Sequence, residues 1–404
     1  MGRVFIVSGK RTAVGSYLGA LKNVHPADLG AQVVRSILDT VRIPADRLDE
    51  VIVGNILPAG QGQGVGRQVA LKAGVPQSVP AYSLNMACGS GMKAVMTAYA
   101  NIQAGLHHLV MAGGTESMST APYLIPYKAR EGFKMGDFTT VDHMIYDALT
   151  DSFSGAHMGI TAENIAVKHG LTRQAQDEFA LYSQKKAIAA VDGGQFVDEI
   201  VPITIKVKKD ELVFAQDEYP NRITNADKLK ALRPAFKPDG SVTAGNASGI
   251  NDGASFTLVA SEEALAEFKL TPMAEIIGIG QGVVDPQYMG LGPVPAIANA
   301  LKMAGLRLQD IDLIELNEAF AAQSLGVVRE LSVEHGMAEQ AILERTNLNG
   351  GAIALGHPVG ASGNRILVTL LHAMARRNVT YGLASLCIGG GMGTAIIIKR
   401  TEEY

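Results

Sequence analysis

A chain of 404 residues exceeds a single ordinary domain, so two or three domains sharing a large core are expected. With 47% hydrophobic and 18% charged residues it reads as a compact enzyme-like chain, and a net charge of −4 without a long basic block argues against nucleic acid or an anionic membrane as its partner. Two cysteines make no disulfide framework, no apolar run approaches the ~18 residues of a membrane span, and the first ten residues lack a signal-peptide core, so a cytoplasmic setting is expected.

In chain order, the opening residues 1–10 read as a strand around 4–7, followed by a helix over 28–40 and a strand at 51–53. A glycine-rich turn at 85–91 then opens a helix, and a strand at 109–112 runs into Gly113-Gly114. The stretch 119–248 differs in composition. It holds a long helix over 173–191, stopped by Asp192-Gly193-Gly194, and basic residues in turns: Lys206, Lys208, Lys209, Arg222, Lys228 and Lys230. It is read as an insertion over the site, with most of its lysines simply solvated.

The order of the front then repeats. A strand at 274–279, a helix over 294–304 and a strand at 313–316 lead to a second glycine-rich turn at 349–363, a helix through 366–374, and strands at 383–388 and 395–398. Arg47-Leu48-Asp49-Glu50-Val51-Ile52-Val53 answers to Leu308-Gln309-Asp310-Ile311-Asp312-Leu313-Ile314-Glu315-Leu316. Duplication giving two pseudo-equivalent halves explains this order, and chance recurrence of generic βα units is the alternative. The βα alternation predicts an α/β fold with a sheet covered on both faces.

Cys88 precedes a helix in Asn85-Met86-Ala87-Cys88-Gly89-Ser90-Gly91. A helix N-terminus favours thiolate, so a lowered pKa is expected there. Taken alone, Cys88 fits a catalytic thiol or a buried small side chain equally well. His357, in Gly356-His357-Pro358-Val359-Gly360-Ala361-Ser362-Gly363, sits in the counterpart turn. Two such turns converging on one pocket would join thiol and imidazole, a standard activation of sulfur. Cys387 stands before Ile388-Gly389-Gly390-Gly391, whose N–H groups suit an oxyanion; it is either a proton carrier or a core cysteine. Asn317, at a strand end, can hold a water or polarise a carbonyl. No metal spacing occurs among the nine histidines and two cysteines, and the glycine strings do not follow a dinucleotide fingerprint.

Four strings in this order, Asn-x-x-Cys-Gly-Ser-Gly at 85–91, Asn-Glu-Ala-Phe at 317–320, Gly-His-Pro-x-Gly-x-Ser-Gly at 356–363 and Cys-x-Gly-Gly-Gly-x-Gly at 387–393, resemble the thiolase family across essentially the whole chain. The strings 135–137, 157–164 and 244–253 resemble its short-chain biosynthetic branch. The resemblance implies a layered αβαβα core from two pseudo-equivalent halves, residues 1–118 with 249–270 and residues 271–404, plus an inserted loop domain at 119–248 carrying coenzyme A and oligomer contacts. It implies reversible condensation of two acetyl-CoA to acetoacetyl-CoA and coenzyme A, without metal or cofactor, by a homotetramer arranged as a dimer of dimers.

By position, the resemblance makes Cys88 the acylated nucleophile, His357 its base and Cys387 the residue that deprotonates the second acetyl group. Asn317 and His357 would stabilise the enolate oxygen, and the N–H groups of Cys88 and Gly389 the acyl oxyanion. Ser248, His157, Met158, Phe320, Ala319, Ala244, Ile250, Met289 and Leu149 match the pantetheine channel, and Arg222 is a candidate for the nucleotide phosphates, although Tyr219-Pro220-Asn221-Arg222 departs from the expected string. The rival readings are a degradative 3-ketoacyl-CoA thiolase of broader chain length, a carrier-protein synthase of the same fold, and a non-catalytic acyl-CoA-binding relative.

Overall fold

A computed structural model describes residues 2–207 and 210–401, so Lys208 and Lys209 lie outside the described residues. Alternating burial along the β-branched runs builds the sheet. Val51 and Val53 face one hydrophobic core and Ile52 another; Leu109 and Met111 likewise oppose Val110 and Ala112. The main path of the sheet runs Leu313–Leu316, Tyr381–Ile388, Met392–Arg400, Ala274–Val283, Val4–Thr12, Asn251–Ser261, Leu109–Ser117, Glu50–Gly54 and Ala81–Leu84.

The two ends of that path mirror each other. In the first half Val4–Thr12 pairs antiparallel with Asn251–Ser261, that strand antiparallel with Leu109–Ser117, and Leu109–Ser117 runs parallel to Glu50–Gly54. In the second half Ala274–Val283, Met392–Arg400, Tyr381–Ile388 and Leu313–Leu316 pair in the same way, and Ala81–Leu84 is an extra strand on the first half. The halves meet where Phe5 and Ile6 pair with Glu275 and Ala274. Both first strands carry a register shift at the same point, between Ile6 and Ser8 and between Ile276 and Gly278.

Helices form three layers around these sheet halves. Pro26–Val41 and Val65–Lys72 cover the outside of the first half, and Pro293–Ala304 with Ala321–His335 the outside of the second. Ser90–Gln103 and Val359–Arg377 lie between the halves, and the second is buried continuously from Val359 to Met374. Both of its faces meet a sheet, and the polar side chains Ser362, Asn364, Arg365, Thr369 and His372 are buried with the apolar ones. The layered α/β architecture expected above is therefore present.

Most predicted elements recur with longer ends. The helix expected over 173–191 spans Arg173–Asp192, and the strand expected at 109–112 continues to Ser117. The strand Asn251–Ser261 was not predicted; its opening Asn251-Asp252-Gly253 looks like a turn, yet it is buried throughout. Among the described residues no helix is long and apolar enough to cross a membrane, and no group of three or more His, Cys, Asp or Glu gathers as a metal site.

Candidate active site

The two central helices start side by side, and their glycines allow it. A Cβ on Gly91 would lie 2.9 Å from the Gly360 carbonyl oxygen, and one on Gly363 would lie 2.6 Å from the Met92 nitrogen. The turns preceding these helices carry Cys88 and His357, so the crossing sets thiol and imidazole at one end of the middle layer.

The Cys88 turn is tightly bonded. Asn85 Oδ1 accepts from Ala87 N (2.9 Å), and Ser90 Oγ accepts from Met86 N (2.9 Å) while donating to the Ala87 carbonyl (2.7 Å). Ala87 takes a left-handed φ of 43°, an unusual conformation for a residue with a Cβ. It turns the chain sharply before the nucleophile. Cys88 packs against the cluster of Ile56, Leu57, Met118, Met144 and Val359.

The Gly389 backbone N–H acts on the Cys88 sulfur, and a Cβ on Gly89 would clash with the Ile388 side chain, so the first turn and the lip at 387–391 are in contact. Burial pushes the Cys88 thiol up to about 11; the N–H groups of Gly389 and Cys88 oppose this, and the Glu116 carboxyl adds to it. The lowered pKa expected from the helix N-terminus is thus not found: loss of solvent outweighs the dipole. Cys387 is buried, and burial followed by the neighbouring Cys88 raises its thiol strongly. Both cysteines are free.

His357 is buried, and its backbone N–H donates to Asn251 Oδ1 (2.8 Å). Gly356 must be glycine, because its φ is 99° and a Cβ there would meet the Asn251 side chain at 2.5 Å. The imidazole Nδ1 lies 2.6 Å from Ser362 Oγ, which donates its one proton to the Pro358 carbonyl (2.9 Å). Nδ1 therefore carries the hydrogen, and Nε2 keeps a free lone pair. Burial, then the Arg365 charge, pushes the His357 pKa down to about 4. The resting pair is a neutral thiol and a neutral imidazole.

A cavity of about 460 Å³ leads to this place, lined by His357, Met118, Val359, Leu149, His157, Met158, Ala244, Ser248, Ile250 and Phe320. His157 accepts from Gly159 N through Nδ1 (3.0 Å) and stacks on Phe236, with ring centroids 4.7 Å apart. Phe236 in turn meets Phe320 edge-on at 6.2 Å. Ala247 bridges to Phe320 and Ser248 N donates to the Ala319 carbonyl (2.9 Å), which joins the inserted segment to the Asn-Glu-Ala-Phe string.

Asn317 is fully buried at the strand end, and neither its amide oxygen nor its nitrogen has a hydrogen-bond partner among the described residues. Three expected channel residues are not among those lining the cavity. Ala319 is buried beside it, Met289 belongs to the outer core of the second half, and exposed Arg222 is ion-paired with Asp192 at 2.6 Å. Sequence reasoning also missed Tyr17, Tyr219 and Phe236 on the cavity wall, and the supports Asn251 and Ser362. Ser362 and Tyr219 stood inside quoted strings and Asn251 inside a quoted stretch; Tyr17 and Phe236 are isolated in sequence and carry no signal.

The Thiolase, N-terminal domain model matches residues 4–263, and the Thiolase, C-terminal domain model matches residues 270–400. The chain is 51% identical over 400 residues to the acetyl-CoA acetyltransferase of Escherichia coli, covering 99% of this chain and 100% of that one. It superposes on the crystal structure of the Bacillus anthracis acetyl-CoA acetyltransferase with a TM-score of 0.94 at 42% identity, covering 99% of each chain. For the acetyl-CoA acetyltransferase from Syntrophomonas wolfei the TM-score is 0.96 at 42% identity, covering 99% and 100%. With family models spanning nearly all of its length, this chain belongs to the thiolase family.

Proposed function

We propose that the protein is an acetyl-CoA C-acetyltransferase, joining two acetyl-CoA into acetoacetyl-CoA and coenzyme A and running the reverse thiolysis. The observation that carries this reading is the nearness of Cys88 to the Gly389 N–H and to Cys387, behind Met118 and Val359, which with His357 line the cavity. Full-length relatives named acetyl-CoA acetyltransferase support it.

In the first half-reaction Cys88 sulfur adds to the thioester carbonyl while its proton passes to His357 Nε2. The oxyanion sits at the N–H groups of Cys88 and Gly389. Its collapse expels coenzyme A thiolate, which takes the Cys387 proton and leaves acetyl-Cys88 and a Cys387 thiolate. In the second half-reaction Cys387 removes a methyl proton from another acetyl-CoA, and the enolate oxygen is held by Asn317 and protonated His357. The enolate carbon attacks the acetyl carbonyl, Cys88 leaves, and His357 returns its proton. Every proton and electron pair is carried by these residues and the two substrates, so the scheme calls for no cofactor.

Ser248, His157, Met158 and Phe320 line a cavity suited to a narrow pantetheine arm. Arg222, released from Asp192, is the cation within the inserted segment assigned to the nucleotide phosphates, and Ala319 and Met289 back the channel wall rather than form it. The halves 1–118 with 249–270 and 271–404 and the insertion 119–248 are the domain division we adopt. A homotetramer fits two surfaces: the edge strand Ala81–Leu84, which among the described residues has no neighbour on one side, and the exposed apolar side chains of Tyr123, Tyr127, Met135 and Phe153. Two free cysteines in one site suit a reducing cytoplasm.

Steady-state assay with acetyl-CoA, acetoacetyl-CoA and longer 3-ketoacyl-CoA esters tests the reading. It predicts acetoacetyl-CoA formation and a thiolysis preference for the four-carbon substrate. Equal or better turnover of long chains would move the assignment to the degradative branch.

A further inference from the structure

The aspartates and helix starts described above allow the two halves to be compared residue by residue. Asp49 Oδ2 accepts from His108 N and Leu109 N, and Asp312 Oδ2 accepts from Thr380 N and Tyr381 N. With Asp49 matched to Asp312, Ile52 matches Glu315. With Ser90-Gly91 matched to Ser362-Gly363, Lys93 matches Arg365. In the first half these positions are unremarkable: Ile52 is a core side chain, and Lys93 reaches outward to Gln281 Oε1 (2.9 Å). In the second half both are buried and ionisable, Arg365 at 2% exposure and Glu315 at 4%; burial pushes the Glu315 carboxyl up to about 8, and the Arg365 charge opposes this.

Arg365 is held oddly for a buried guanidinium. Its Nη1 lies 3.8 Å from Glu315 Oε2, and none of its three nitrogens makes a hydrogen bond among the described residues. Of the other nearby carboxylates, Asp217 takes both terminal guanidinium nitrogens of Arg11, and Glu199 Oε1 takes Arg11 Nε and Thr369 Oγ1 while Glu199 Oε2 has no partner among the described residues. A buried ion pair without hydrogen bonds is a poor way to stabilise a fold, and the matching half manages with Ile52. Such a pair is therefore kept for what it positions. Glu315 lies two residues before Asn317, and Arg365 lies two turns into the helix that His357 precedes.

We propose that Arg365 and Glu315 are positioning residues, a buried cation facing a carboxyl between the middle helix and the sheet, which hold the strand end bearing Asn317 in register with the turn bearing His357. Asn317 and His357 then converge on one substrate oxygen although they come from separate elements. The Arg365 charge also acts on the imidazole directly, being the second cause, after burial, of its low pKa. The inference rests on the acyl-transfer reading of the site.

The test is steady-state kinetics and thermal unfolding of Arg365→Gln, Arg365→Lys, Glu315→Gln and the Glu315→Gln/Arg365→Gln double variant. Arg365→Gln is expected to lower kcat by about 10- to 100-fold, the scale of a misplaced catalytic group, with KM within about twofold. Arg365→Lys should recover most of the loss. The double variant, without this buried pair, should unfold at or above the wild-type temperature and yet have a kcat no higher than that of Arg365→Gln. A double variant with near wild-type kcat, single losses that multiply in the double, or Lys no better than Gln would each overturn the proposal. Acetylation of wild-type Cys88 by acetyl-CoA is measured in parallel. Its absence counts against the acyl-transfer reading, whereas its presence with unaffected variants counts against the positioning role alone.

Discussion

His357 is oriented by Ser362, whose hydroxyl oxygen lies 2.6 Å from Nδ1 and whose own proton is committed to the Pro358 carbonyl. The serine thereby fixes which imidazole nitrogen is the base. Ser362→Ala removes that acceptor inside a buried site, leaving the N–H unpaired and the ring free to take the other tautomer. We expect kcat to fall by about 10-fold or more while the protein remains folded, since positioned acid–base catalysis is worth about 10²–10⁴-fold in all. A Ser362→Ala enzyme with wild-type kcat would remove the serine from the account.

The protonation states of the site give a pH prediction. With His357 lowered to about 4 and Cys88 raised to about 11, neither group is charged near neutrality. Alkylation of Cys88 by iodoacetamide should therefore be slow at pH 7 and climb steeply towards pH 10–11. A thiolate–imidazolium pair would instead give a fast, flat profile from about pH 5 upward. Mapping the alkylated residue at each pH separates Cys88 from Cys387.

Strain at Ala87 is open to direct measurement. Its φ of 43° is one that glycine adopts freely, so Ala87→Gly should stabilise the protein by up to about 1 kcal/mol in denaturant unfolding, although added unfolded-state entropy offsets part of this. Ala87→Val, β-branched in the same conformation, should destabilise by more than that. Equal stability of all three would mean that the turn relaxes.

Close approach of the two central helices makes the opposite prediction for Gly363. A Cβ there meets the Met92 backbone nitrogen at 2.6 Å, in a layer covered on both sides by sheet. Gly363→Ala should cost about 1–3 kcal/mol or more, as overpacking does, and reduce activity by parting the Cys88 and His357 turns. Thermal unfolding and kcat report the two effects separately.

Asp49 and Asp312 show what the sequence made legible. They stand at matching places in two similar strings and cap the neighbouring strand of their own half in the same way, so the repeat seen in residue order is also a repeat of hydrogen bonds. Short β-branched runs and glycine-rich turns likewise located most strands and both chemical turns. The thiol pKa escaped, because a helix N-terminus is visible in sequence whereas desolvation depends on what packs over the sulfur. Ser362 was read as part of a string without its role, since nothing in a sequence says where a hydroxyl proton goes. Arg365 and Glu315 are separated by 50 positions and became a pair only when the middle helix was laid against the sheet. Arg222 was placed by chain position, and its partner Asp192 lies 30 residues earlier.

Mass spectrometry of the intact protein after reaction with acetyl-CoA, with the modified residue mapped in wild type and in Cys88→Ala, tests the central claim most directly. The account predicts one acetyl group per chain, on Cys88, lost in the variant and discharged by added coenzyme A. An acetyl group that persists in Cys88→Ala, or an active wild type that never carries one, would contradict it.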